Sequence, residues 1–189
     1  MDVLTKLNWM DLAILVLIAG GIFAGWIQGT VRHFLDALAV LLAFIIASQL
    51  KHPLAAMVSG AWTAFTPGLR ELIIYLVLFV ALTIGAWLLV GAFYRRTPLP
   101  IGRQADELIG ALLGFVAAAI SVVFFYVVLA SFFRNASSAS IADAGWLANL
   151  YDGLNSSLLV GWLRALVIPT AGFLARPFVP AEIAALLRR

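Results

Sequence analysis

The 189-residue chain contains no cysteine. That excludes disulfides, thiol catalysis and cysteine-ligated metal. Charge is scarce: Asp, Glu, Lys and Arg make up 11% of the residues, where a soluble domain carries about 25%. The two histidines, His33 and His52, each stand beside the end of an apolar run, without neighbours at metal-ligand spacing. They read as isolated interfacial residues, and no metal site is expected. There is no G-x-S-x-G, no H-E-x-x-H, no P-loop and no dinucleotide fingerprint. With no nucleophile or acid–base constellation to assemble, neither enzymatic activity nor a cofactor is expected. The net charge is +3, but the basic residues are scattered singly or in pairs. None forms the aromatic-interleaved basic run of a nucleic-acid surface, so nucleic acid is not an expected partner.

What is abundant is apolar. Hydrophobic residues reach 64% and the mean hydropathy is +1.07. A chain this short cannot hide so much apolar surface in its own core, so a lipid bilayer is the expected solvent. Four apolar runs stand out. Residues 12–28, 72–94 and 108–133 carry no charge, and 34–50 carry only Asp36. A spanning helix needs roughly 17–25 residues. Strand-like alternation is absent, which argues against a β-barrel. The expected fold is an all-α integral membrane protein with four transmembrane helices over about 11–29, 33–50, 71–94 and 107–133. A polar linker, 134–145, should lead to a tail, 146–189, of short amphipathic helices on the membrane surface. A fifth span over 157–174 is disfavoured. It would kink at Pro169 and bury Arg164, at roughly 2.5–3.5 kcal/mol for a mid-span Arg on insertion scales.

Local signals mark the helix ends. Asn8 is a candidate N-cap with Asp11 three residues on. "RRTPLPIG" reads as a turn, and the acids of "ADELIG" suit the positive end of a helix dipole. Pro53 is placed to start a short helix between the second and third runs, with Trp62 and Phe65 at the interface. "SIAD", 140–143, again resembles a capping box. The leader "MDVLTKLNWMD" is not basic and another apolar run follows closely, so a cleaved signal peptide is not expected. Lys and Arg near the spans divide evenly between the two sides. The dense "RRTPLPIGR" loop favours a cytoplasmic position for itself and outward-facing termini.

Two features carry functional weight. Gly21, Gly25 and Gly29 recur every four residues in the first run, and Gly110, Gly114 and Ala118 do so in the fourth. Each makes a smooth stripe for close helix packing, within one chain or in a homo-oligomer. Between the first two runs, "GWIQGTVRHFLDAL" places Arg32 at a membrane boundary and Asp36 one turn deeper. An acid inside a span is costly unless paired. The two residues form either a local pair or a polar element facing a conduit or a partner, with Asp11 or Asp106 as further candidate members.

At these residues the sequence resembles the colicin V production protein (CvpA) family of bacterial inner-membrane proteins. "NWMDLAILVLI" is similar to the family's opening Asp and apolar run. "GWIQGTVRHFLDAL" resembles its R-G-x-x-R-E-x-L hairpin element, and "ADELIGALLGFVAAAI" its D-R-x-L-G-x-x-x-G-x-x-R-G element. The resemblance covers about residues 8–120, and the four-run layout extends it to Phe133. Gln28 replaces the first hairpin Arg, His33 the acid after Arg32, Glu107 the Arg after Asp106, and Ala117–Ala118 the Arg-Gly pair. The resemblance implies a multi-pass inner-membrane protein without known enzymatic activity, tied to production or export of a peptide toxin or to envelope homeostasis. A small channel or transporter and a membrane scaffold for a protein partner are the alternatives.

Overall fold

The computed structural model describes residues 8–93, 103–134 and 144–188. The expected turn at 95–102, most of the linker and the capping-box pattern at 140–143 lie outside the described residues. Helix α1 spans Trp9–Gln28. Its N-cap is Asn8, whose N–H donates to the Asp11 carboxylate at 2.8 Å. It stops at Gly29, where φ is +84°, a conformation glycine adopts without steric cost. Helix α2, Thr30–Met57, starts on the next residue.

The expectation of a separate short helix at Pro53 is corrected: α2 continues through it. Proline lacks the N–H that would bond the carbonyl of Gln49, but the turns on either side carry the helix on. Helices α3, Pro67–Phe93, and α4, Arg103–Phe133, complete a bundle.

The tail follows with α5, Trp146–Ser156, and α6, Leu158–Val167. A π-helical turn, Ile168–Gly172, then absorbs Pro169, and after two single turns comes α7, Ala181–Leu186. Among the described residues there is no strand. Five segments, α1 to α4 and Leu158–Phe178, are long and apolar enough to cross a membrane.

Helix α4 is the axis. Val123, Phe124, Val127, Val128 and Leu129 are buried, and Phe124 stacks on Phe44 of α2 with centroids 4.0 Å apart. Helix α1 lies along α4 and touches α2 little, while α2 and α3 pair with each other. The outer faces present Leu12, Phe23, Leu88 and Leu112, which only an apolar solvent accommodates.

The tail wraps the last turns of α4. Tyr151 of α5 stacks on Phe133, with centroids 4.9 Å apart. Ile183 and Leu187 are fully buried, whereas Trp146, Trp162, Phe173 and Phe178 point outward. Both ends of the Leu158–Phe178 segment are tied to the bundle. Ser157 Oγ and the Leu159 N–H donate to Asp11, and Gln49 donates to the Phe178 carbonyl.

Candidate functional site

The two glycine stripes meet in one chain. A Cβ on Gly21 would lie 2.7 Å from the Gly114 carbonyl oxygen and 2.9 Å from Ala118 Cβ. One on Gly25 would collide with the Gly110 carbonyl, and one on Gly110 or Gly114 would collide with Gly25 or Gly21 in return. Backbone therefore rests on backbone along the α1–α4 seam, as small residues in membrane helices permit. The seam ends at Gly29, where an added Cβ would meet Asp106 Oδ2 at 2.7 Å. Asp106 is buried and clasps the start of α2. Its Oδ1 accepts the Thr30 N–H at 3.1 Å, and its carbonyl accepts the Thr30 hydroxyl. An acid capping an N-terminus satisfies a free donor and suits the helix dipole.

This clasp sets the angle at which α2 leaves, and so aims Arg32, His33 and Asp36 into a cleft of about 410 Å³. Gln28 and Gly20 of α1, Trp87 of α3 and Ser121 of α4 also line it. His33 is 5% exposed, and its Nε2 lies 4.0 Å from Asp36 Oδ2. Its ring interacts with the Gly29 backbone one turn back, while the Nε of Arg32 is buried without a hydrogen-bond partner. Arg32 reaches toward the last turn of α3, where its Nη2 would lie 3.1 Å from a Cβ on Gly91. The missing side chain there makes room for the guanidinium, and the carbonyl end of a helix suits its charge.

The residues singled out from the sequence are thus distributed over three places. Arg32 and Asp36 share the cleft, but no ion pair within 4.0 Å joins them among the described residues; the His33 imidazole lies 4.0 Å from Asp36, and the charge of Arg32 acts on Asp36 from farther off. Asp106 holds the clasp behind the cleft. Asp11 lies at the opposite end, fully buried and bonded to Asn8, Ser157 and Leu159. Neither Asp11 nor Asp106 reaches Arg32.

Sequence reasoning missed a second polar cluster. His52 is not isolated: its Nδ1 is 3.2 Å from Glu71 Oε2, and its Nε2 is 3.3 Å from Glu182 Oε1. Glu182 also pairs with the buried Lys51. Burial would raise the Glu182 carboxyl, but the hydrogen bond and charge of Lys51, with His52, outweigh it and hold it below its ordinary value. A third pairing joins Arg164 to Tyr126. The guanidinium lies 4.7 Å over the ring and donates to the hydroxyl at 3.3 Å. Partners 19 to 131 positions apart leave no local signal in a sequence. Among the described residues no group of three or more acids and histidines is arranged to hold a metal ion.

The arrangement places the motif residues in an opening helix with Asp11 in its first turn, a hairpin with Arg32 and a glycine-striped fourth helix headed by Asp106. No curated protein and no solved structure matches the chain. The sequence model of the colicin V production protein family matches residues 10–166, past Phe133 and into α6. With five apolar helical segments, the chain is a multi-pass membrane protein. On a match spanning most of its length, it belongs to the colicin V production protein family.

Proposed function

We propose that this protein works in the bacterial inner membrane as a non-enzymatic component that supports peptide toxin production or export, or envelope homeostasis, as a helical assembly. The observation that carries the reading is the family match over 10–166, which takes in both the bundle and the first tail helices. Deleting the gene in a toxin-secreting host should lower the secreted toxin while leaving its synthesis inside the cell intact. Unchanged secretion and unchanged envelope integrity would overturn the reading.

Four spans and a surface tail are the topology of this proposal. Asp11 stands about 26 Å along α1 from Gln28, and Gln49 about 28 Å along α2 from Thr30, at 1.5 Å per residue. Those residues hold the two ends of Leu158–Phe178. A segment tied at both ends to one depth lies across the bundle instead of through the bilayer. Its exposed Trp162, Phe173 and Phe178 suit the boundary between headgroups and acyl chains.

This attachment gathers Arg164, Arg176 and Arg188 at the end that carries Lys51, Arg70 and Arg134, which supports a cytoplasmic position for that end. The orientation is the reverse of the one expected from the 95–103 loop. The chain has no cysteine, so Trp146→Cys and Phe178→Cys are clean probes. A membrane-impermeant maleimide should label both only after access from the cytoplasmic side; labelling from opposite sides would restore a fifth span.

A conduit is the second reading, favoured by Arg32, His33 and Asp36 facing one cleft. Ion or solute flux through protein-loaded liposomes, abolished in Asp36→Asn, would support it; no flux would remove it.

A further inference from the structure

Between α1 and α3 the bundle is open. Helix α1 packs on α4, and α3 packs chiefly on α2, which leaves a strip of α4 uncovered. Near the α1–α2 turn this opening is the polar cleft. Farther along it continues as a hollow of about 380 Å³ with apolar walls, formed by Ile14, Phe79, Ile84 and Phe125; Leu17 and Trp87 border both parts. The result is one trough with a polar mouth and a long apolar floor.

The mouth holds unmet hydrogen-bonding capacity. Buried polar groups in native proteins nearly always have a partner, yet Arg32 Nε has none. Asp36 leans toward His33, and no carboxylate lies within ion-pair distance of Arg32 among the described residues. The guanidinium acts on Asp36 only from beyond ion-pair distance, which leaves its forked donors to match a phosphate. Arg32 stands two residues from the start of α2, at the end of the bundle where lipid phosphates lie, and the apolar floor runs inward from it. Gly20 leaves open space in the trough, since a Cβ there meets nothing within 4 Å.

The geometry points to a phospholipid of the surrounding bilayer seated in this trough, its phosphate on Arg32 and one acyl chain along α4 between α1 and α3. Charge, unmet donors and apolar length run in the order in which a lipid presents them. The site does not depend on a role in toxin export.

Native mass spectrometry of the full chain, titrated with dioleoyl phosphatidylglycerol, tests this. One lipid should be retained per chain. Arg32→Gln should weaken retention about tenfold, the effect of losing one charge-assisted hydrogen bond. Gly20→Phe fills the trough without touching the α1–α4 seam and should weaken retention at least as much. Gly85→Phe, in the separate α2–α3 groove where a Cβ also meets nothing, should leave it unchanged. Equal retention in Gly20→Phe and the parent protein would overturn the proposal. So would binding of glycerol 3-phosphate as tight as that of the lipid, which marks a free-phosphate site, or of diacylglycerol as tight, which removes the head. A dimer that Gly20→Phe dissolves would assign the trough to a second copy and overturn it too. If Gly20→Phe fails to fold, Arg32→Gln with the head-only and tail-only ligands still decides.

Discussion

At the end where α1 begins, the buried Asp11 carboxylate accepts from Asn8, Ser157 and Leu159, and Lys51 and His52 both reach Glu182. At the end where α1 turns into α2, Asp106 is likewise satisfied, but Arg32 Nε has no partner beside the open cleft. Both ends keep buried guanidinium nitrogens without a partner, Arg70, Arg164 and Arg176 Nε at the first and Arg32 Nε at the second; what differs is that the tail bridges the first end to the bundle, whereas the second opens as a cleft. Burial without a partner costs stability at either end, so the contrast lies between an end whose polar groups are bridged by the tail and an end whose polar groups line an open cleft.

Four changes probe that contrast. The largest effect belongs to the seam that supports both ends. Gly25→Leu would drive a side chain into the Gly110 carbonyl, and the folded protein should be lost, seen as absence of a monodisperse peak in detergent. Ile22, 37% exposed on the outer side of the same helix, should accept Ile22→Leu without such loss.

Asp11→Ala comes next. It strands the Ser157 hydroxyl and two backbone N–H groups, and should cost about 3 kcal/mol in thermal stability, since each buried unsatisfied group costs about 1–3 kcal/mol. His33→Leu at the open end should cost far less or stabilise the protein. Equal losses at the two positions would erase the distinction between the ends.

Acid should loosen the tail by a smaller amount. The Glu182 carboxyl is depressed below 4.5 in the folded protein. Its contribution is complete above that value and disappears as pH falls through the lower folded value. Glu182 is 48% exposed, so solvent screening limits the effect to about 1 kcal/mol or less. Proteolysis of the tail should quicken in this acid window, with Lys51, His52 and Glu71 still facing the site, and Glu182→Gln should show the fast rate at neutral pH already.

The smallest effect is the coupling of Arg32 and Asp36. No ion pair joins them, so a double-mutant cycle with the swap Arg32→Asp, Asp36→Arg should give a coupling below about 1 kcal/mol. A strong rescue by the swap would restore the local pair expected from their spacing.

The helices were legible because a charge-free run of spanning length has few other uses, and the seam was legible because small residues every fourth position share a helix face. Pro53 misled because a local breaker signal competes with a long helix that tertiary packing sustains. His52 was read as isolated because Glu182, 130 positions later, is near it only once the tail has wrapped α4. Arg32 and Asp36 were legible as a polar element, but whether they pair stayed open, because spacing places two residues on one helix face and does not fix where their long side chains turn. The closing of one end by the tail was beyond periodicity altogether, since α5 to α7 announce an amphipathic face without naming what it rests on.

The tail's hold on Asp11 also sets an order of events in biosynthesis. Ser157 follows Asp11 by 146 residues, and Gly110 and Gly114, the counterparts of the glycine face, come only with the fourth helix. When α1 first leaves the ribosome, neither its carboxylate nor its smooth face has met a lasting neighbour. The hairpin of α2 and α3 must be inserted while α1 waits beside the translocation machinery or in lipid. A nascent chain halted before residue 157 would hold α1 to α4 and still lack the tail donors that finish the first of them.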